Sequence, residues 1–523
     1  MVQTRLAAAG VLLLALVVLG GLLPGRAPAC TTLIAGRGTT ADGSLLFAKT
    51  EDDTPQDVDF LWRIPRRQHE PGSVVRLKRG GEVPQVEQTW GFVWDQCPGT
   101  DYSSAVVNEW GVALGSNACP SREDPPETVA ARGDLVDGGI GFELRLIVAE
   151  RARTAREAVE IAADLLDRFG YAASGRSLNI VGPDEAWQLQ MVCGKHYVAR
   201  RVRDDEVAIL ANTFSIREVD PDDRENYVCS PRLIEHAIER GWYDPESGPF
   251  DFAAAYAARE SHTDPRNRDR QWSLARLADP DFSLSWEEAR ERGLPAAVRP
   301  QQPITLQDVM AIFRDHYEGT ALDTVQDREH GPHGGPVRAI CWGTTHRTTI
   351  VQQRASLPPE VGAVIWRAVE APCASGFVPW YLGATRIPEP FRMSPVRADT
   401  ARAQRSEFHF AMPEETWKLG PASAGELFKL QVDLVEQDYT ARIGIAREAW
   451  DAFEAKALAL QPAVEDTAAR LLAKDPDRGR EYLTRHTEAL ARESLAVASR
   501  VIGELSGDVV TPAVGGQPAC GKQ

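Results

Sequence analysis

Apolar and polar residues follow one another along this chain in several distinct rhythms. The first is an apolar run from Leu6 to Leu23, with Arg5 ahead of it and Gly20, Gly21, Pro24 and Gly25 loosening its end. A thin charged start, an apolar middle and the small residues Ala27-Pro28-Ala29 together predict an export signal over residues 1–29, cut between Ala29 and Cys30. Period-two patterning comes next: "TTLIAGRG" and "LLFAKTEDD" flank an Asp42-Gly43 turn signal and predict a hairpin that begins at the new N-terminus. At Thr154 the period becomes helical. Val159, Ile161, Ala162, Leu165, Leu166 and Phe169 share a face, Thr154 and Glu157 have capping-box spacing, and Gly170 supplies the stop. The runs "SLNIVG", "AWQLQMV", "HYVARRV" and "EVAILAN" then predict a four-stranded antiparallel meander ending at Asn212.

Further strands are expected at "RTTIVQQR" and "GAVIWRAVE", while residues 233–330 mix helical patterns with polar loops. From about residue 420 the helical period returns through "AGELFKLQVDLVEQDYTARIGIAREAWDAFEAKALAL" and "VEDTAARLLA". Strand and helix kept in long separate blocks predict a layered α+β domain rather than a doubly wound sheet. The expected division is a signal peptide over 1–29, a layered domain over 30–395, a helical extension packed on it over 396–505, and a flexible tail over 506–523. No internal repeat or low-complexity tract interrupts this plan.

Composition narrows the function. Of 523 residues, 75 are acidic and 58 basic, a formal charge of -17, and no segment concentrates Lys and Arg enough to offset it, so nucleic acid is excluded as a partner. Membrane contact is expected only through an uncleaved leader or lipidation. Two other readings of the leader remain: a retained membrane anchor, and a lipoprotein signal with Cys30 acylated. Against the lipoprotein, Ala27 stands where such signals carry Leu, and Pro28 follows it. An exported chain meets an oxidising compartment, where some of the eight cysteines (Cys30, Cys97, Cys119, Cys193, Cys229, Cys341, Cys373 and Cys520) should pair. Beyond Cys30, at most three bridges and one free thiol are possible.

Cleavage before Cys30 would place a thiol and a free α-amine on one residue. A thiol attacks as thiolate and has an ordinary pKa of about 8.5. An α-amine titrates at about 7.7 to 8.0, so near neutral pH it can accept the thiol proton. That pair is a complete nucleophile and base, which gives the cysteine a reason to stand at the cleavage point.

The blocks "CTTLIAGRGTTADGSLLFAKTEDD", "VVNEWGVALGSNA", "LNIVGPDEAWQLQMVCGKHYVARRVRDDEVAILANTFSI", "FRDHYEGTALD" and "TTIVQQRASLPPEVGAVIWRAVEAPCASGFVPWYLG" run in order from Cys30 to about residue 385. In that order they resemble the dipeptidase family of N-terminal-nucleophile (Ntn) cysteine peptidases, the group that includes dipeptidase A and the secernins. The resemblance implies a four-layered αββα Ntn-hydrolase sandwich with additional C-terminal helices, amide hydrolysis through an acyl-enzyme, and dipeptides or short peptides as substrate. It matches Cys30 to the nucleophile and Asp52 to the acid that holds the α-amine. Lys49 stands where the family usually has Arg, which keeps the charge and loses the bidentate fork, and Thr50 replaces the usual Asn. Asn212 matches the oxyanion donor. Asn117 lies near a second oxyanion contact, although the family pattern has its Asn one position earlier, at Ser116. Arg270 matches an Arg of the nucleophile pocket, with Arg268 as the alternative. Taken without the resemblance, Lys49 and Asp52 read as a solvated strand end, Asn212 equally as a turn residue, and either Arg as surface.

No metal or organic cofactor is expected. Cys-x-x-Cys pairs are missing from the sequence, and His330 and His333 in "REHGPHGG" read as loop histidines without a third ligand. "EDDTPQDVD" lacks the Gly and terminal Glu of a calcium loop, and Gly36, Gly38 and Gly43 do not make a dinucleotide fingerprint. The sequence therefore points to an exported, extracellular, periplasmic or cell-surface cysteine dipeptidase. Its rivals are an amide hydrolase or acyltransferase of the same fold acting on N-acyl amides, and a lipid-anchored binding protein with Cys30 acylated and inert.

Overall fold

Two residues past Cys30 the chain is already in a sheet. Strand β1 (Thr32–Ala35) turns at Asp42-Gly43, where Gly43 takes φ +72° and the Ser44 N–H donates to Asp42 Oδ1, and returns as β2 (Leu45–Asp52) with Thr32 opposite Lys49. The expected hairpin is thus present. The computed structural model describes residues 30–52, 60–96, 103–394, 418–419 and 423–507. The expected leader, Cys97, Cys520, most of the acidic stretch after Asp52 and the tail past residue 507 lie outside the described residues.

Along the chain follow β3 (Phe60–Ile64), β4 (Phe92–Gln96), β5 (Ser103–Asn108) and β6 (Ala113–Ala118), then helices α1 (Glu143–Arg151) and α2 (Ala155–Phe169). Strands β7 (Tyr171–Val181), β8 (Ala186–Gly194), β9 (Tyr197–Val202), β10 (Val207–Leu210) and β11 (Tyr227–Cys229) come next. Helix α3 (Pro265–Ala278), strand β12 (Ala297–Val298) and helix α4 (Leu306–Ile312) lead to β13 (Thr345–Gln353), β14 (Ala363–Val369) and β15 (Val378–Tyr381). Three helices close the described chain: α5 (Ala424–Glu436), α6 (Tyr439–Lys474) and α7 (Pro476–Ser506).

These strands form two antiparallel sheets, ordered β12-β10-β1-β2-β13-β14-β15 and β11-β9-β8-β7-β6-β5-β4-β3. The second sheet shows how period two builds layers. Val93, Val107, Ala113 and Val181 point to one side and pack with Leu33, Phe47 and Ile350 of the first sheet. Their neighbours Trp94, Val106, Leu114 and Ile180 point to the other and pack with Ile147, Val159 and Leu166 of α1 and α2. On the far side of the first sheet lie α3, α4 and the C-terminal helices, through Leu274, Val309, Phe428, Trp450 and Leu483. The architecture is the expected α+β sandwich of four layers, αββα. Trp450 of α6 sits so close to Gly376 that a Cβ there would fall 2.1 Å from its ring, and Trp450 Nε1 donates to Gln431 of α5.

Two local expectations need correction. The fourth meander strand, β10, leaves the sheet of β7–β9 and pairs with β1 instead. It is apolar and buried at every position, so its pattern does not say which sheet it joins. In the cap of α2, Thr154 accepts from Glu157 N, but the Glu157 carboxylate reaches back to Arg153 N at 2.7 Å rather than to Thr154. Pro462 lies inside α6 without ending it. Packing against α5 and α7 outweighs the roughly 3 kcal/mol that an interior proline costs.

Candidate active site

The site is built where β1 begins, at the polar end of the space between the sheets. Cys30 is 3 % exposed in the full-length chain, and its Sγ–H donates to Glu51 Oε1 at 3.2 Å. Lys49 and Glu51 are two apart on β2 and so share a face; Lys49 Nζ lies 2.6 Å from Glu51 Oε2 and also donates to the Thr50 carbonyl. Burial alone would raise the Glu51 carboxyl, but Lys49 and Arg347 outweigh it and hold it at about 2. The Cys30 thiol is pushed up to about 12, first by burial and then by the Glu51 carboxylate, with Lys49 pulling the other way. In the full-length chain this sulfur is therefore a protonated thiol at neutral pH.

The main chain of Cys30 is clamped from two directions. Its carbonyl accepts from Arg270 Nη1 at 2.9 Å and from Asn117 Nδ2 at 3.0 Å. Arg270, on α3, also donates to Thr31 Oγ1, Asn212 Oδ1 and Asn267 Oδ1. Its guanidinium is buried, and burial together with Arg338 lowers it to about 10, so it stays cationic at neutral pH. Arg268 takes no part: its guanidinium closes the loops at His262, Arg290 and Glu291 by donating to their carbonyls. The choice left open by sequence thus falls on Arg270.

Asn212, just past β10, is oriented by Arg270, which fixes its Oδ1, and its Nδ2 donates to the Ala118 carbonyl at 3.0 Å. An amide nitrogen carries two protons, so one donor remains after that bond. Asn117 differs. Its Nδ2 serves Cys30 O and Ala211 O, and its Oδ1 accepts from Thr32 and Asn179. Both of its protons are engaged, which places it on the Cys30 backbone and leaves no amide proton for the second oxyanion contact suggested by sequence. Ser116, one position earlier on β6, points to the other face, where it accepts from Arg145 and Arg176.

Asp52 is fully buried at the end of β2. Its carboxylate accepts from Arg338 Nη2 at 3.0 Å and from Thr345 Oγ1 at 2.8 Å. The Asp52 main-chain N–H and carboxylate both act on the Cys30 thiol, so Asp52 stands beside Cys30, just ahead of β1. Neither Lys49 nor Asp52 is a solvated strand end. Sequence reasoning missed Glu51, Asn267, Arg338 and Thr345. Glu51 was readable from its i, i+2 relation to Lys49, whereas Arg338 lies almost three hundred positions from Asp52 and carries no local signal.

The six described cysteines are all free thiols, so the pairing expected of an exported chain is not found among the described residues. His330 is the loop histidine the sequence suggested, set against Asp327, but His333 is not: its ring is buried beside His316, Cys341 and Cys373.

The sequence model of peptidase family C69 matches residues 29–412, starting at the Ala29-Cys30 junction. A probable dipeptidase of Salmonella dublin is 28% identical over 365 residues, covering 69% of this chain and 82% of that one. A probable dipeptidase B of Streptococcus pyogenes serotype M1 is 27% identical over 369 residues, covering 68% and 72%. Among solved structures, a conjugated bile acid hydrolase from Clostridium perfringens aligns over 65% of this chain and 89% of its own, at 10% identity and a TM-score of 0.27, so the fold assignment rests on the two sheets themselves. With the family match spanning most of the chain and the relatives carrying dipeptidase names, this protein belongs to peptidase family C69.

Proposed function

We propose that the protein is an exported dipeptidase whose nucleophile is Cys30 and whose activation step is removal of residues 1–29. The observation that carries this reading is the position of Cys30. It follows Ala27-Pro28-Ala29 directly, its carbonyl is clamped by Arg270 and Asn117, and its sulfur faces the Lys49–Glu51 pair. With the leader attached, the nitrogen of residue 30 is an amide and the thiol lies near 12, so the chain has neither base nor thiolate. Cleavage would supply an ammonium one residue-length from the sulfur, and a new positive charge lowers a thiol pKa.

In the processed chain the α-amine takes the Cys30 proton and the sulfur adds to the substrate carbonyl. The oxyanion is held by the remaining Asn212 amide proton and main-chain N–H groups. Collapse of this intermediate breaks the C–N bond, and the proton on the α-amine passes to the departing amino acid. Water then gives a proton to the same amine, adds to the thioester and frees the acyl product and the thiol. Asp52, held by Arg338 and Thr345, supplies the carboxylate that holds the α-ammonium, and Arg270 keeps Asn212 aimed. The relatives' names support dipeptides as the substrate class.

Intact mass of the purified mature protein, together with turnover of a dipeptide panel set against N-acyl amino acids, tests the proposal. A chain beginning at an unmodified Cys30 that cleaves dipeptides is the expected result. An acylated Cys30, a different first residue, or a preference for acyl amides overturns it.

A further inference from the structure

Away from Cys30, four side chains from two connections of the chain meet in the interior. His316 follows α4, His333 lies in the loop beyond it, Cys341 precedes β13 and Cys373 sits between β14 and β15. One nitrogen or sulfur from each lies within 4.8 Å of all the others. His316 Nε2 and His333 Nε2 are 2.9 Å apart, and His333 Nε2 is 3.4 Å from each of the two sulfurs. His316 and Cys341 are fully buried, Cys373 is 3 % exposed and the His333 side chain 6 %.

The other ring nitrogens decide what this cluster is for. His316 Nδ1 faces Glu318 Oε1 at 3.0 Å, and His333 Nδ1 faces Glu436 Oε1 at 2.5 Å. A carboxylate accepts, so each Nδ1 carries its proton and each Nε2 turns a lone pair inward. Two such lone pairs at 2.9 Å repel unless a proton or a metal cation lies between them. Carboxylate–histidine pairing of this kind orients metal-bound imidazoles. Tetrahedral zinc, with bonds of about 2.0 to 2.1 Å to nitrogen and about 2.3 Å to sulfur, sets ligand atoms roughly 3.3 to 3.8 Å apart; the two 3.4 Å nitrogen–sulfur distances fall in that range, and the imidazole nitrogens at 2.9 Å would part by about 0.4 Å to reach it.

We propose that His316, His333, Cys341 and Cys373 bind one divalent zinc ion in a closed tetrahedral site. The donor set, two imidazoles and two thiolates, is one that zinc favours. Four protein ligands leave no open position, so the role is structural: binding releases the two thiol protons, forms two Zn–S and two Zn–N bonds, and changes no oxidation state. The ion ties the loop after α4 to the approach of β13, to the β14–β15 connection and, through Glu436, to the end of α5. Arg338, which bonds Asp52, lies between His333 and Cys341, and its carbonyl accepts from Tyr317, next to His316. The clamp would therefore also hold the frame that presents Arg338 to Asp52.

The test is metal content of the full chain, expressed without a histidine tag and measured by inductively coupled plasma mass spectrometry. About one zinc per chain is expected in the parent and in Cys30→Ala, falling below about a tenth in Cys373→Ser and His333→Ala. Because those variants can fail to fold, the parent chain is also loaded with cobalt. Thiolate-to-cobalt charge-transfer absorption and intense tetrahedral ligand-field bands are expected. A metal-free folded parent, a disulfide between Cys341 and Cys373, or loss of zinc on Cys30→Ala would overturn the proposal.

Discussion

Cys30 and the Cys341–Cys373 pair are all buried thiols in one domain, yet the groups around them ask for opposite things. Around Cys30 the protein has already balanced its charges: Lys49 answers Glu51, Arg338 answers Asp52, and Arg270 grips a carbonyl rather than the sulfur. What that site lacks is a base, and under the proposed function the α-amine freed by cleavage before Cys30 would supply it. Around Cys341 and Cys373 the bases are already in place, two imidazoles turned inward by carboxylates. There a metal cation would complete the set. A buried thiol is thus made reactive by what its neighbours supply and made inert by what they share it with.

The sharpest way to break this contrast is to remove each sulfur separately. Cys30→Ala should lower dipeptide turnover by at least about 10⁴-fold, with far-UV circular dichroism and melting temperature unchanged, since the other residues of the site keep their partners. Residual turnover above that level would move the nucleophile elsewhere. Asn212→Ala comes next: loss of a preoriented oxyanion donor should reduce kcat by about 10²- to 10³-fold, with a smaller change in KM. A change confined to KM would show that Asn212 serves binding instead.

How much of this was legible in the sequence depended on whether a residue's surroundings are local. The hairpin, α2 and the three strands β7–β9 could be read because their periods are unambiguous, and Cys30 stands out through its place directly after Ala27-Pro28-Ala29. The choice between Arg268 and Arg270 was not readable, since two positions on a helix point about 200° apart and nothing along the chain says which side faces Cys30. Asn117 was placed at the right spot with the wrong duty, because only the structure shows both of its protons already engaged. The His316–Cys373 cluster left no sequence trace at all. Three of its ligands lie in the long α4–β13 connection and the fourth in the β14–β15 connection, without motif spacing, and they meet only once the chain is folded.

Glu436→Gln probes that second region more gently than deleting a ligand. Weakening the carboxylate on His333 Nδ1 should lower zinc affinity by about 10- to 100-fold, read by competition with a chromogenic chelator, and kcat should fall much less than affinity does. If the cluster were a redox pair instead, the parent would bind no zinc tightly and this substitution would shift thiol reactivity alone.

The smallest expected effect separates the two regions by pH. Glu51 is held at about 2 in the folded chain against an ordinary value of 4.5, so between those values the unfolded chain binds more protons. The stability it confers is complete above about pH 4.5 and is lost as the pH falls towards 2. Zinc release also weakens the fold in acid, because protons compete for thiolates and imidazoles. Glu51→Gln distinguishes the two. It should lower stability at pH 7, where Lys49 is left without its carboxylate, and flatten the loss below pH 4.5 in urea melts, while zinc per chain at neutral pH stays at the parent level. An acid limb as steep in Glu51→Gln as in the parent would assign the acid sensitivity to the zinc cluster, and the carboxylate beside Cys30 would then have no measurable part in it.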